Sequence, residues 1–187
     1  MTVQTFKTSN TNASLWPDLA LVVFLIVLCV VARLLPHAPG FLPVAASGLF
    51  AARYLRVPAL AIVVPVVAMM ISDAFLPTED WRIQLVGFFA IAIPAVAGLL
   101  TRRFPGVLPV VGTMIGSSIL FFLFSNGAVW AFSGMYPLTT AGLTQCYVMA
   151  LPFLEKTMAG DLFWTAVLFG GAWAVQNGLT LARVRSK

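Results

Sequence analysis

The chain has 187 residues, 60% of them hydrophobic and only 9% charged, with a mean hydropathy of +0.98; a soluble domain carries roughly 25% charged residues. That excludes an ordinary soluble protein and predicts an all-α, polytopic membrane protein, because spans of about 20 residues each leave little chain for a soluble module. The net charge of +5 comes from basic residues scattered in pairs rather than gathered on one face, which argues against nucleic acid as a partner.

Residues 1–16 read as a polar tail, 17–182 as one transmembrane domain of about six helices, and 183–187 as a basic cytoplasmic tail. The first helix is expected from about Pro17 to Leu35. It is longer than a signal-peptide core of about 7–15 residues and lacks an A-x-A-like site before Arg33, so it reads as a retained span. The stretch RLLPHAPGFLPV then brackets His37, the only histidine, with prolines. Pro36 and Pro39 oppose continued helix and make this an elbow.

The second helix, about Phe41 to Tyr54, is too short to cross a bilayer upright and is expected to be thinned into the membrane or partly re-entrant. The third, about Val57 to Leu76, contains Pro65, and the fourth, about Ile83 to Thr101, contains Pro94; both should kink. The fifth, about Val107 to Phe132, should break near Ser125, Asn126 and Gly127. A 28-residue connection, Ser133 to Gly160, holds an amphipathic piece near Tyr147 to Leu154. The sixth helix, about Asp161 to Ala182, is interrupted at Gly170 and Gly171.

Lys and Arg in short loops mark the cytoplasmic side. With both termini inside, that side collects Lys7, Arg53, Arg56, Arg102, Arg103, Arg183, Arg185 and Lys187, leaving only Arg33, Arg82 and Lys156 outside. Asp73, Glu79, Asp80, Glu155 and Asp161 then fall outside, with Asp18 alone inside. The outer third of the molecule therefore holds most of the polar chemistry.

Asp73 ends an unbroken apolar span in AMMISDAFLP. An unpaired carboxylate in lipid costs about 2.5–3.5 kcal/mol on insertion scales, so Asp73 either meets headgroup water or faces a partner, most naturally Arg33. His37 is a solvated loop imidazole, a pH-sensitive hydrogen-bonding group or an axial ligand to a metal-containing solute. Asn126 is an amide within a span and should face a partner. Trp130, Tyr136 and Tyr147 are belt aromatics or walls against which a solute stacks. Cys146, at a loop-to-helix junction, has no nearby cation to activate it and reads as inert; its spacing from Cys29 suggests neither a disulfide nor a metal site. Gly48 with Ala52, and Gly112 with Gly116, form small-residue pairs suited to helix packing or to a subunit contact. No HExxH, GxSxG or Walker loop is present, so the expectation is a protein that is not an enzyme and needs no cofactor or metal.

The segments RLLPHAPGFLPVAASGLFAA, MMISDAF, GSSILFFLFSNGAVW and YPLTTAGLTQCYVMALPFLEKTMAGDLFW resemble an uncharacterised bacterial integral-membrane family named for transport. That family is in turn similar in size and six-helix layout to the substrate-binding S-components of energy-coupling-factor vitamin transporters. The resemblance implies an outward-open cavity and a small-residue face that docks on a transmembrane energising subunit. Carried over by position, the Arg33–His37 bend, Asp73, Asn126 and a Tyr136–Asp161 loop would line or lid the cavity. The chain departs after the third span, where LPTEDWRIQL stands in place of a His- and Tyr-containing stretch. The metal-ligating Cys of the cobalamin-type members has no assigned counterpart in Cys29 or Cys146.

These readings together predict a multi-pass protein of the bacterial inner membrane, N-in and C-in, that binds or takes up a small vitamin-like solute from the periplasmic side. Its partners would be that solute, the lipid bilayer and an energising subunit. The rival expectation is a structural or assembly subunit of a larger membrane complex.

Overall fold

The computed structural model describes residues 15–77 and 80–185, with side chains through residue 178. Most of the polar tail, Lys7, Glu79, Lys187 and the side chains of Arg183 and Arg185 lie outside the described residues. Within them are six helices and no strand: α1 Trp16–Leu34, α2 Val44–Tyr54, α3 Pro58–Asp73, α4 Trp81–Thr101, α5 Val107–Phe132 and α6 Thr140–Arg185. The stretches Trp16–Leu34, Trp81–Thr101, Val107–Phe132 and Thr140–Gly178 are long and apolar enough to cross a membrane. Their outward faces are greasy: on α1 alone Leu19, Val23, Phe24, Val27 and Val31 are exposed, a surface that suits lipid and not water.

α2 is the hub. Every residue from Pro43 to Ala52 is buried, and α2 packs against all five other helices. Its sequence VAASGLFAARY explains this, since four alanines, a glycine and a serine let neighbouring backbones approach from every side. A Cβ on Gly48 would lie 3.3 Å from Pro65 and 3.4 Å from Ala95, and one on Gly98 of α4 would lie 2.8 Å from both Ala52 and Leu49. Gly48 and Ala52 are thus consumed inside the bundle. Gly112 and Gly116 on α5 differ, for a Cβ on either would meet nothing within 4 Å.

The largest departure from the sequence reading is α6. Instead of a 28-residue connection followed by a broken helix, the chain turns in the seven residues 133–139 and then runs as one 46-residue helix through Pro152, Gly170 and Gly171. Thr139 starts it, its hydroxyl accepting from the Gly142 amide at 3.2 Å, which satisfies one of the open donors of the first turn. Gly142 must lack a side chain, as a Cβ there would sit 2.0 Å from the Pro137 carbonyl oxygen. α5 likewise continues through Ser125 to Gly127, because the Ser125 hydroxyl and the Asn126 amide donate to Phe121 and Phe122 carbonyls of the same helix. Cys146 is consequently not at a junction but inside α6, buried. α3 and α4 remain helical through Pro65 and Pro94.

The two ends of the bundle are chemically distinct. At one, Asp18 near the start of α1 accepts from the Arg56 backbone N–H at 3.1 Å, while the Arg53 guanidinium donates to the Thr101 and Phe104 carbonyls at 2.6 and 2.9 Å. At the other, Arg33, Asp73 and Gln84 meet, and the elbow between α1 and α2 folds onto α6. Gly40 has φ +77°, and a Cβ there would lie 2.5 Å from the Thr157 hydroxyl; on α6, a Cβ at Gly160 would lie 2.8 Å from the Gly40 carbonyl oxygen. Two glycines facing each other let loop and helix touch backbone to backbone.

Candidate functional site

Beneath the elbow lies a cavity of about 120 Å³ to which all six helices contribute. Its walls are mostly apolar, among them Leu42, Val44, Met69, Ile91, Met114 and Phe121. Five residues with polar side chains interrupt them: Arg33 from α1, Ser117 and Ser118 from α5, and Thr157 and Asp161 from α6. Few polar groups in an apolar concavity is the usual make-up of a small-molecule site.

Arg33 is held firmly. One terminal nitrogen donates to Asp73 at 2.5 Å, the other contacts the Met69 sulfur, and Gln84 Nε2 donates to the second Asp73 oxygen at 3.1 Å. Both charged side chains are about 15% exposed, so each offsets the cost of withdrawing the other from water. The Arg33 Nε remains buried with no partner among the described residues, as does the Ser117 hydroxyl. Asp161 is 4% exposed and accepts from the Ser118 hydroxyl at 2.7 Å. Ser118 also lies 3.0 Å from the Met114 carbonyl one turn back, the local bond that makes a hydroxyl tolerable within an apolar helix.

Two further cavities continue along the α5–α6 seam away from Asp161. One of about 200 Å³ shares Ser118, Phe121 and Thr157 with the first and adds Ser125 and Asn126. The next, about 260 Å³, shares Asn126 and Phe153 and reaches Tyr136 and Cys146 beside the α5–α6 turn. A seam of cavities with apolar walls and scattered polar groups thus leads from that turn to the buried carboxylate.

The residues expected from sequence divide around this seam. Arg33 and Asp161 line the inner cavity, Asp73 fixes Arg33, and Asn126 and Tyr136 line the outer cavities. His37 is exposed on the elbow, its Nδ1 2.8 Å from the Leu35 carbonyl, outside these cavities. The Trp130 indole donates to the Pro137 carbonyl and so braces the turn. The Tyr147 hydroxyl donates to the Leu123 carbonyl at 2.7 Å, with its ring tilted on Phe122; it clamps α6 to α5 and lines none of the three. The expected lid between Tyr136 and Asp161 is mostly helix, and the α1–α2 elbow covers the site instead. Ser117, Ser118 and Thr157 went unremarked in the sequence, and the only hint was two adjacent hydroxyls in the apolar run TMIGSSILFF.

Among the described residues no cluster of three or more His, Cys, Asp or Glu side chains could hold a metal ion. Both cysteines are free and buried, Cys29 donating to the Ser47 hydroxyl at 3.3 Å.

Fold and site together define an all-helical protein with membrane-type helices around a small, polar-studded interior cavity. The chain belongs to a family of unknown function, DUF6580, whose model matches residues 13–182. No curated protein and no solved structure matches it.

Proposed function

We propose that the chain is a membrane-embedded binding and uptake protein for a small solute. The observation that carries this is the inner cavity, where a buried serine hydroxyl has no partner among the described residues beside a buried carboxylate. An unsatisfied buried polar group costs about 1–3 kcal/mol, and a solute that bonds it offsets that cost. In this reading the six helices lie in the inner membrane of a bacterium, α2 thinned into it rather than crossing upright, both termini are cytoplasmic, and the elbow and the α5–α6 seam open to the periplasm. The S-component likeness belongs to the same reading and adds a transmembrane energising subunit as partner.

The test is a thermal-shift screen of the purified chain in detergent against vitamins and other small metabolites, with native mass spectrometry for anything retained from the cell. At least one solute should raise the melting temperature of the wild type and fail to do so in Ser117→Ala with Asp161→Asn. A panel without a single stabilising or retained compound would refute the proposal.

A second reading, an assembly subunit of a larger complex, draws on α5, where Gly112 and Gly116 leave open space at the surface. Gly116→Leu should then abolish co-purification of a partner while leaving solute binding intact.

A further inference from the structure

The buried carboxylates are not equivalent. Asp18 faces Arg56, with Nε 3.8 Å from its carboxylate, and Asp73 faces Arg33. Asp161, as deeply buried as Asp18, has a serine hydroxyl as its bonded side-chain partner and no ion pair among the described residues. Among the described residues Arg33 is the one cationic side chain lining the same cavity, and its charge is met by Asp73. The remaining lining residues are neutral, so the cavity carries one carboxylate with no protein cation to balance it. An ionisable group within a membrane-type helix that lacks a protein partner faces the path or the site of something that supplies one.

We propose that the solute is a compact organic cation, a protonated primary amine on a short apolar body, with Asp161 as its counter-ion. This rests on the solute-binding reading and narrows it to a chemical class. An ammonium group carries three donors and no acceptor, so it bonds the Asp161 carboxylate and the Ser117 hydroxyl, which has no partner among the described residues, and leaves the Arg33 Nε–H unbonded. The body would lie against Met69, Ile91, Met114 and Phe121. A cavity of about 120 Å³ limits that body to a few carbons unless the occupant extends into the neighbouring seam. A free carboxylate or phosphate would instead meet Asp161 as a like charge and is selected against.

The full chain in detergent would be titrated calorimetrically with methyl- to butylammonium, the alcohols of equal length, and propionate. An ammonium should bind saturably, roughly tenfold or more tighter than the matched alcohol, the ratio expected of a charge-assisted bond over a neutral one, and propionate should not bind. Asp161→Asn should erase that preference. Ser117→Ala, which removes no charge, should weaken ammonium binding less and serves if the Asp161 variant does not fold. Equal binding of alcohol and ammonium, or binding of propionate, would overturn the assignment. So would failure of every ammonium while a neutral or anionic metabolite binds, and in that case the uptake reading survives. If no solute of any charge binds, both fall.

Discussion

Arg33 and Asp73 show how one pair of residues can close one end of a helical bundle. Neither is tolerable alone at a mostly buried position, and each is tethered a second time, Arg33 at Met69 and Asp73 at Gln84. Asp73→Leu should therefore cost about 3 kcal/mol, the low end for stranding one member of a buried pair, read as a lower midpoint in chemical unfolding from detergent. Arg33→Met combined with Asp73→Leu should recover most of that loss, because no uncompensated charge remains. A double variant as unstable as the single one would mean that the pair is held by shape rather than by charge. The pairing was legible in the sequence: an arginine at one helix end and a carboxylate at another, both expected at the same membrane face, have few other partners. Asp161 was expected on the outer side and not in the interior, since the side chain it bonds among the described residues is the Ser118 hydroxyl, which an apolar run conceals.

At the scale of helices, small residues decide which faces are used. Gly98 receives Ala52 and Leu49 of α2 so closely that Gly98→Val should destabilise the fold by roughly 2 kcal/mol, the usual cost of overpacking a filled interior. Gly112→Leu, on an open face, should stay within about 0.5 kcal/mol. Unfolding curves for the two variants, measured side by side, check the contrast, and equal losses would contradict the packing described. Thr139→Ala should cost about 1 kcal/mol through the lost cap, seen as earlier exchange of the amides in the first turn of α6. The sequence reading reached the bounds of α1, α4 and α5 to within about two residues because their apolar runs end at charges or prolines, which is the signal that lipid imposes. It failed on α6 because Glu155, Lys156 and Gly160 interrupt the apolar pattern between the amphipathic piece at Tyr147 to Leu154 and the run that begins at Asp161. In the structure the exposed charges cost little at the helix surface, Gly160 is required for contact with the elbow, and the cap at Thr139 to Gly142 was the overlooked marker.

Across the whole molecule, charge and length set one further problem. The end carrying Arg53, Arg56, Arg102 and Arg103 is opposite the end carrying His37, Asp73 and the α5–α6 turn, so a single choice of orientation fixes the sidedness of every loop. In the reading proposed above, the excess of Lys and Arg puts the first end in the cytoplasm. α6 strains this simple picture, since 46 residues make a helix roughly 70 Å long against a hydrocarbon core of about 30 Å. It must therefore project from the bilayer or lie strongly tilted. The contacts of Tyr147 with α5 and of Phe169 with Phe50 and Tyr54 tie it to the bundle from the His37 end to the Arg53 end, which leaves the stretch beyond Trp173 as the part that emerges beside the arginines. Single cysteines test the arrangement directly, because the native thiols Cys29 and Cys146 are buried and give little background. In intact cells a membrane-impermeant maleimide should label His37→Cys and should label Arg103→Cys and Gly178→Cys only after permeabilisation. Labelling of Arg103→Cys from outside, with His37→Cys protected, would invert the molecule, turn its cavities toward the cytoplasm and make export rather than uptake the direction that the seam serves.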